Sequence, residues 1–378
     1  MKRRAFLKLT AGATATAIFP SAHASTDTTT AMPSTGGMGT WPCLVGAWKQ
    51  GAIYYAGWWS EGGGANGVEV PFRAHGVLVD PNDPAFAVAI ARRPGEYIMR
   101  FHETNAREAV VMGADAERVF EGHAAHAPDG AVIYTTESDT SNGNGIIGVR
   151  DAVTLSKRCE FLTRGVGPHA LLVEPQGSLL VANGGVLTLP ETGRTKLDTT
   201  HMDPSLVRID VRDGRLLGQW RLADPQLSIR HLACGPNGIV GAALQGEHSD
   251  PHNLENAPVL ALFDGTSLRA VDAAPGSLLG GYAGDIACAP ADGTSYFAVG
   301  CTRANVIALW DTDGHWRGVV PLRTACALVA NGKQLIAATE AGELACVAVD
   351  RMARCAERTP SLSWDNHVAI RAANDSRR

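Results

Sequence analysis

The amino-acid sequence predicts an all-β fold, a seven-bladed β-propeller whose last blade is completed by strands from both ends of the chain. Glycine and proline are frequent, with 42 Gly and 20 Pro in 378 residues. Short apolar runs alternate with turn dipeptides, as is typical of strands joined by tight turns. One such pattern recurs along the chain, which favours a ring of repeated sheets over two unrelated domains.

Each copy of the repeat is a hairpin. A polar or small residue precedes three or four apolar residues, a turn rich in Pro, Asn, Asp or Gly, and a second apolar run. The first strands begin near residues 75, 123, 169, 231, 285, 326 and 367. Most copies are followed by a second hairpin, such as LVRIDVRDGRLLGQWRL, whose turn contains Gly214, a residue type that accepts positive φ. Four strands in about 45 residues are the signature of a propeller blade.

The two ends of the chain predict how the ring closes. The seventh copy, at 364–370, offers one strand before the chain ends, whereas the segment 41–59 offers strands that lack a first strand of their own. We expect these two pieces to complete one blade, because this removes a free sheet edge. A pair of β-sandwiches is the alternative architecture.

The N-terminus has the three parts of a signal peptide: a basic stretch, a mild apolar run from about Leu9 to Phe19, and an Ala-His-Ala cleavage site that ends at Ala24. Arg3 and Arg4, followed after one residue by FLK, match the twin-arginine consensus. We therefore expect export in the folded state to the periplasm. The predicted organisation is a signal peptide at 1–24, a flexible lead-in at 25–40, one propeller domain at 41–372 and a polar tail at 373–378.

The charge of the chain bears on its partners. The formal net charge is −5, and removal of the signal peptide takes away four positive charges and no acid, so the mature chain carries about −9. An acidic protein is not expected to bind nucleic acid or anionic membranes. Past the signal peptide, no apolar stretch reaches the ~20 residues that a membrane-spanning helix needs.

Eight cysteines are scattered through the chain without a CxxC pair. Most lie in apolar strand-like runs, where a free cysteine behaves as a small hydrophobic residue. Cys346 and Cys355 flank a predicted hairpin turn, and in an oxidising compartment they could form a disulfide if their Cα atoms come within range. The spacing is compatible both with a disulfide between Cys346 and Cys355 and with two free thiols.

One register position at the head of the first strands is occupied mainly by histidine. In chain order that position holds His75, His123, His169, His231, Asp285, Cys326 (or Ala325) and His367. First strands line the central channel of a propeller, so these side chains are expected to form a ring. Neutral imidazole suits Fe, Cu and Zn, an added carboxylate suits Fe(II), and three or four ligands are enough. The ring is a candidate metal site; the alternative is that the histidines are hydrogen-bonding struts between blades.

Three long polar connections between second and third strands are expected on the same face as the ring, because strands alternate in direction within a blade. Long loops on a rigid scaffold are where binding residues concentrate. The candidates are Glu137 in the loop 137–145, Arg194, Lys196, His201 and Asp203 in the loop 183–204, and Glu247, His248 and His252 in the loop 245–258. The alternative is that these are solvated surface loops without a binding role.

Several segments resemble a known family. They are the run GPHALLVEPQGSLLVANGGVLTLPETGRTKLDTTHMDPSLVRID from Gly167, together with FRAHG, LSIRHLA, ESDTSNGNGIIGVRDA and WDNHV; the sixth repeat, ACALV, is less distinctive. They are similar to a family of uncharacterised twin-arginine-exported proteins related in fold to WD40 and YVTN-type propellers. Such proteins sit beside imelysin-like and di-haem peroxidase-like proteins. The resemblance therefore implies a role in iron or metal acquisition with these proteins as partners, and it supplies no catalytic residues.

Three functions are open on the sequence. The first is a periplasmic binding or interaction protein in iron or transition-metal acquisition, with its site at a histidine-lined channel mouth. The second is a metal-dependent enzyme, a hydrolase, lactonase or oxidoreductase, that uses the same ring. The third is a protein-docking scaffold without a small-molecule site. The sequence lacks a GxSxG elbow, an HExxH helix, a CxxCH haem attachment and a phosphate loop, so it favours a binding protein over an enzyme.

Overall fold

The computed structural model describes residues 40–188, 193, 195, 199 and 201–371. The predicted signal peptide, residues 25–39 of the lead-in and the tail at 373–378 lie outside the described residues, and their bounds stay predictions. Within the part of the chain that is described, no helix is both long and apolar enough to cross a membrane.

The described residues form 28 β-strands. The first fourteen are β1 (Leu44–Gln50), β2 (Ile53–Ser60), β3 (Gly64–Val70), β4 (Ala74–Val79), β5 (Phe86–Ala91), β6 (Tyr97–His102), β7 (Val110–Gly113), β8 (Arg118–His126), β9 (Val132–Asp139), β10 (Asn144–Asp151), β11 (Lys157–Val166), β12 (Pro168–Glu174), β13 (Ser178–Asn183) and β14 (Ser205–Asp210). The others are β15 (Leu216–Trp220), β16 (Leu227–Cys234), β17 (Val240–Gly246), β18 (Leu260–Phe263), β19 (Leu268–Val271), β20 (Ile286–Ala291), β21 (Thr294–Cys301), β22 (Val306–Asp311), β23 (Trp316–Pro321), β24 (Ala325–Asn331), β25 (Gln334–Thr339), β26 (Leu344–Ala348), β27 (Ala353–Arg358) and β28 (Ser363–Ile370).

Helical structure in the described residues is confined to short pieces. Two 3-10 turns span Ala106–Glu108 and Pro236–Gly238, and one α-helix, α1, spans Pro251–Asn256. The Asp250 side chain accepts a hydrogen bond from the N–H of Asn253 at 2.9 Å, which caps the helix. Proline at the start of the helix is tolerated because the first N–H groups have no partner within a helix. The predicted loop 245–258 therefore contains one ordered helical turn.

The strands form seven four-stranded antiparallel sheets. Six are built from consecutive strands: β4–β7, β8–β11, β12–β15, β16–β19, β20–β23 and β24–β27. The seventh has the order β28-β1-β2-β3, in which Leu44 pairs with Ile370 and Lys49 with Ser363. The two ends of the described chain thus complete one blade, as the sequence predicts, and the predicted seven-bladed propeller is confirmed.

The innermost strands form the wall of the channel. They contact one another in the cyclic order β28, β4, β8, β12, β16, β20, β24 and back to β28. Middle strands such as β13 are buried throughout, whereas outer strands such as β23 alternate between residues that are at least partly buried and residues that are exposed. Apolar contacts lie between blades: Leu180 and Leu206 pack with Ile229 and Val240 of the next blade. The core is therefore a series of blade interfaces around the channel.

Pairing between the first and second strands is interrupted near the ring position in six blades. The register shifts fall between Ala74 and Val77, Phe120 and Ala124, Pro168 and Leu171, Ile229 and Leu232, Ala325 and Ala327, and Trp364 and Val368. A β-bulge bends its strand and re-aims a side chain, and bulges are frequent next to functional sites. In the remaining blade the pairing of β20 is regular, and Asp285 stands just before the strand.

Candidate metal centre

Five imidazoles from five blades meet in the channel. We call His75, His123, His169, His231 and His367 the histidine cluster. Neighbouring ring centroids around the cluster lie 4.8 Å (His75–His123), 4.6 Å (His123–His169), 4.8 Å (His169–His231), 4.8 Å (His231–His367) and 4.7 Å (His367–His75) apart. The structure therefore brings together all five histidines of the predicted ring.

Four members of the cluster lie close enough together that they could hold one ion. Donor atoms of His75, His123, His231 and His367 all lie within 4.8 Å of one another. Two nitrogens bound to the same zinc ion are at most ~4.2 Å apart, because each Zn–N bond is about 2.0–2.1 Å long. The donor atoms of the four histidines exceed this limit only slightly, so small movements of the rings would bring them to bonding distance. His169 adjoins this group through His123 and His231.

Several ring nitrogens of the cluster are buried without a hydrogen-bond partner among the described residues. They are both nitrogens of His75, Nε2 of His123, Nδ1 of His169, Nδ1 of His231 and Nε2 of His367. An unsatisfied buried polar atom costs ~1–3 kcal/mol, so this concentration calls for an explanation. Hydrogen-bonding struts would have their nitrogens paired, whereas metal ligands need them free to donate. The pattern fits a metal site better than the structural alternative.

Burial also sets the protonation state of the cluster. It lowers the pKa of four members well below the usual 6.5, because the interior disfavours the imidazolium ion and neighbouring histidines and arginines add repulsion; these are His75, His123, His169 and His231. The four rings are therefore neutral near pH 7, the form in which imidazole binds metals.

Asp285 is held at the edge of the cluster. Its carboxylate accepts hydrogen bonds from the N–H groups of Ile286 at 2.9 Å and Leu328 at 2.8 Å. It also lies 3.4 Å from Nδ1 of His367 and 4.0 Å from Nδ1 of His231. A carboxylate beside the far nitrogen of a metal-binding histidine fixes the orientation of the ring. The geometry suits Asp285 to this positioning role.

The sixth ring position does not add a ligand to the cluster. The Cys326 thiol is buried, and its Sγ lies 3.5 Å from the carbonyl oxygens of both Ala338 and Asp365. Burial raises the pKa of this thiol well above its usual value, so it stays protonated and packs between blades.

The residues that surround the cluster include ions that the sequence analysis did not identify. Asp365 lies 3.8 Å from Nδ1 of His75, accepts a hydrogen bond from Nε of Arg73 and lies 3.7 Å from Nη1 of Arg92. Beside His123, Glu121 lies 3.8 Å from Nη1 of Arg93. Asp365 and Glu121 each precede a cluster histidine by two residues. Acidic residues at this spacing were the sequence signal that could have identified them as neighbours of the cluster.

A small cavity adjoins the cluster. Its volume is about 20 Å³, room for one water-sized guest. It is lined by His75, His169 and His231 and by Arg92, Arg93, Gln245, Tyr282 and Asn366. A narrow space thus adjoins three of the five histidines of the predicted ring, and polar side chains from several blades complete its lining.

Comparison with known proteins gives the family. Residues 68–371 match the family described as "Protein of unknown function (DUF1513)". The chain belongs to this family. No protein with curated annotation has a sequence similar enough to this DUF1513 chain to count as a match.

Two solved structures resemble this DUF1513 chain at low sequence identity. Hydrazine synthase of Kuenenia stuttgartiensis is 15% identical with a TM-score of 0.54, over 81% of this chain and 92% of that one. A chain of a nidogen/laminin complex is 12% identical with a TM-score of 0.47, over 88% and 99% of the two chains. The likeness to hydrazine synthase shows the propeller fold alone.

The DUF1513 structure corrects the placement of Glu137. The predicted loop starts at this residue, but β9 continues through Asp139 and Glu137 is 1% exposed. Its carboxylate accepts hydrogen bonds from Nη2 of Arg150 at 2.9 Å and from Nζ of Lys157 at 2.8 Å. Because Arg150 is fully buried, it needs an anionic partner inside the blade, and Glu137 serves that purpose instead of facing a ligand.

The other loop candidates are not gathered at one point. Asp203 is exposed and pairs with Arg221, His201 is exposed, His248 bonds the Asp224 carboxylate through Nε2 at 2.9 Å, and His252 lies on α1. Arg194 and Lys196 lie outside the described residues. Glu247 contacts a residue that adjoins the cluster in sequence: its Oε1 lies 3.5 Å from Nη2 of Arg230.

Proposed function

We propose that this protein is a periplasmic β-propeller that binds a transition-metal ion, iron, copper or zinc, in its histidine cluster and takes part in metal acquisition. The observation that carries the proposal is the convergence of donor atoms from His75, His123, His231 and His367 within 4.8 Å. At least one ring nitrogen of each of these imidazoles is buried without a hydrogen-bond partner among the described residues. Such a site binds an ion through neutral ligands.

The donor chemistry narrows the choice of ion. Imidazole donors suit copper, zinc and iron, and affinity for a given nitrogen site rises from iron to copper. Asp285 lies beside Nδ1 of His367 and adds a negative charge next to the cluster. Which metal is bound in the cell then depends on supply as well as on affinity.

The remaining parts of the proposal come from the sequence. The twin-arginine signal supports export of the folded chain, which allows the ion to be loaded before the protein reaches the periplasm. The family resemblance supports imelysin-like and di-haem peroxidase-like proteins as partners. A propeller with a buried ion near one channel mouth is suited to pass or present that ion to such a partner.

Metal analysis tests the binding step. Chelator-treated protein is dialysed against Zn²⁺, Cu²⁺ or, without oxygen, Fe²⁺, and bound metal is measured by mass spectrometry. We expect one ion per chain for wild type and a loss of at least tenfold in affinity for the double variant His75→Ala/His231→Ala. His252→Ala removes an exposed histidine on α1 and is the matched control. Equal, negligible metal in all three proteins would exclude the proposal.

A metal-dependent enzyme is the second candidate, and the cavity beside the cluster favours it. Catalytic metal sites keep one position open for water or substrate, and a space for one water-sized guest adjoins His75, His169 and His231. Hydrolysis of p-nitrophenyl acetate and of γ-butyrolactone by the metal-loaded protein tests this candidate. Turnover by the wild type that disappears in His75→Ala/His231→Ala supports an enzyme. If the wild type and the variant hydrolyse both substrates only at the background rate, the metal-binding function is favoured.

A further inference from the structure

Three histidines of the cluster form a triangle, and each of the other two lies close to all three of its corners. The ring centroids in the triangle are 4.8 Å (His75–His123), 5.1 Å (His123–His231) and 6.1 Å (His75–His231) apart. The centroid of His367 lies 4.7, 4.8 and 4.8 Å from those of His75, His123 and His231. The centroid of His169 lies 5.6, 4.6 and 4.8 Å from the same three, in the same order.

His169 and His367 lie on opposite sides of this triangle. A point at given distances from three fixed points has two possible positions, one on each side of their plane. Because the two sets of distances are nearly the same, two rings on one side would overlap. The five centroids therefore outline a trigonal bipyramid, with the triangle as its central plane and His169 and His367 at its two ends.

The structure holds His169 at its end of the bipyramid. The Thr136 hydroxyl donates to the carbonyl oxygen of His169 at 3.0 Å and accepts from the N–H of His123 at 3.3 Å, so one side chain joins two strands that carry cluster histidines. His169 is 5% exposed, and its Nδ1 is buried without a hydrogen-bond partner among the described residues. A nitrogen of this kind needs water or an ion to be satisfied.

The cavity beside the cluster lies where His169 is farthest from the triangle. The longest of its three distances to the corners is the 5.6 Å to His75. The cavity of about 20 Å³ is lined by both of these residues and by His231. There is therefore room for the imidazole of His169 to move closer to the centre of the triangle.

We propose that His169 is a fifth ligand of the metal ion and makes the site selective for Cu²⁺ over Zn²⁺. The ion lies in the plane of the triangle, and His169 and His367 bind it from the two sides as axial ligands. Axial donors are the most distant pair in a trigonal bipyramid. This agrees with a group of mutually close donor atoms that contains His367 and not His169. The inference rests on the proposed binding function, since five protein ligands leave no open position for a substrate.

The number of donors gives the selectivity. Structural Zn²⁺ sites are almost always complete with four ligands, and the four histidines with mutually close donor atoms supply that number. Affinity for a nitrogen site is higher for Cu²⁺ than for Zn²⁺, so one more imidazole adds more to the binding of Cu²⁺. Loss of the His169 donor is therefore expected to weaken Cu²⁺ binding and to leave Zn²⁺ binding almost unchanged.

Competition with a chromophoric chelator tests the fifth ligand. Dissociation constants for Cu²⁺ and for Zn²⁺ are measured on chelator-treated wild type, His169→Ala and His169→Phe, which keeps a ring but no donor. In both variants we expect Cu²⁺ affinity to fall at least tenfold and Zn²⁺ affinity to change less than about threefold. His367→Phe removes a ligand common to both ions and should weaken both. His126→Phe is the matched control, because His126 also lies on an innermost strand with buried, unpaired ring nitrogens but is not part of the cluster.

The electron paramagnetic resonance spectrum of Cu²⁺-loaded wild type is a test without any variant. A trigonal-bipyramidal Cu²⁺ ion has g∥ below g⊥, whereas a tetragonal ion has g∥ above g⊥, and we expect the first pattern. The second pattern, or equal changes of Cu²⁺ and Zn²⁺ affinity in the His169 variants, overturns the fifth ligand and leaves the metal site in place. No binding of either ion to wild type removes the proposed function and this inference together. Thermal unfolding identifies any variant that does not fold, and the wild-type spectrum then decides.

Discussion

The Asp285 carboxylate lies 3.4 Å from Nδ1 of His367 and so joins the blade of β20–β23 to the blade that closes the ring. Backbone N–H groups of Ile286 and Leu328 hold the same carboxylate at 2.9 and 2.8 Å. With Nδ1 beside Asp285, Nε2 of His367 remains as a donor for a metal ion. One acidic residue therefore links two blades of the ring and contacts a member of the histidine cluster.

Replacement of Asp285 tests the role of that contact. In Asp285→Asn the negative charge beside His367 is lost, and we expect metal affinity to fall 10–100-fold, the usual effect of removing a carboxylate that orients a ligating histidine. Competition with a chromophoric chelator measures the affinity. Asp292→Asn, in an exposed turn of the same blade, is the matched control and should bind metal like wild type. Unchanged affinity in Asp285→Asn would show that His367 is oriented by other contacts.

Burial of the histidine cluster predicts acid sensitivity of the metal-free protein. The pKa values of four cluster members lie well below 6.5 in the folded chain. Below pH 6.5 these histidines are protonated in the unfolded chain but stay neutral in the folded chain. The free energy of unfolding therefore falls by up to ~1.4 kcal/mol per pH unit for each histidine as the pH is lowered. Above pH 6.5 the rings are neutral in both states and the effect ends.

Urea unfolding in the presence of a chelator measures this effect. The midpoint should be constant between about pH 7 and pH 8 and fall steeply below about pH 6.5. The double variant His75→Gln/His123→Gln has two fewer buried imidazoles and should show a shallower fall. Identical slopes in the variant and in wild type would mean that other groups cause the acid sensitivity.

The fold and the histidine cluster could be predicted because their signals repeat. Each blade is a local pattern of strands and turns, and seven copies fix the alignment that places His75 and His367 in one register. Incomplete patterns at the two ends then indicate the closing blade. The placement of Arg92 and Arg93 beside the cluster could not be predicted in this way, because they follow β5 and belong to no pattern that repeats from blade to blade.

Glu137 shows where polar residues mislead a reading of the sequence. The segment from Thr135 to Asp139 is polar, so it resembles the start of a loop, yet it is buried throughout as the end of β9. Its partners, Arg150 and Lys157, belong to β10 and β11, and nothing in the local pattern connects them. Charge pairs inside one blade can therefore be recognised only when the register of its strands is known.

Removal of the Glu137 charge should destabilise the fold without affecting metal binding. Among the described residues, Glu137→Gln leaves the fully buried Arg150 with the half-exposed Asp115, 3.0 Å away, as its one anionic partner, and we expect a loss of about 3–5 kcal/mol in the free energy of unfolding. Urea unfolding measures the loss, and Glu69→Gln on exposed β3 is the control. Metal affinity of the folded variant should match wild type; a large loss of affinity would mean that this ion network extends to the cluster.

Cys346 and Cys355 should form a disulfide in an oxidising compartment. They lie on neighbouring strands β26 and β27 as thiols, with sulfur atoms 3.0 Å apart, about 1 Å more than a disulfide bond. A disulfide-exchange partner would take both thiol hydrogens and be reduced to its dithiol as the S–S bond forms. Mass spectrometry of unreduced peptides from periplasmic protein should show this cross-link, with the buried Cys301 and Cys326 unmodified. Alkylation of both Cys346 and Cys355 without reductant would contradict the prediction.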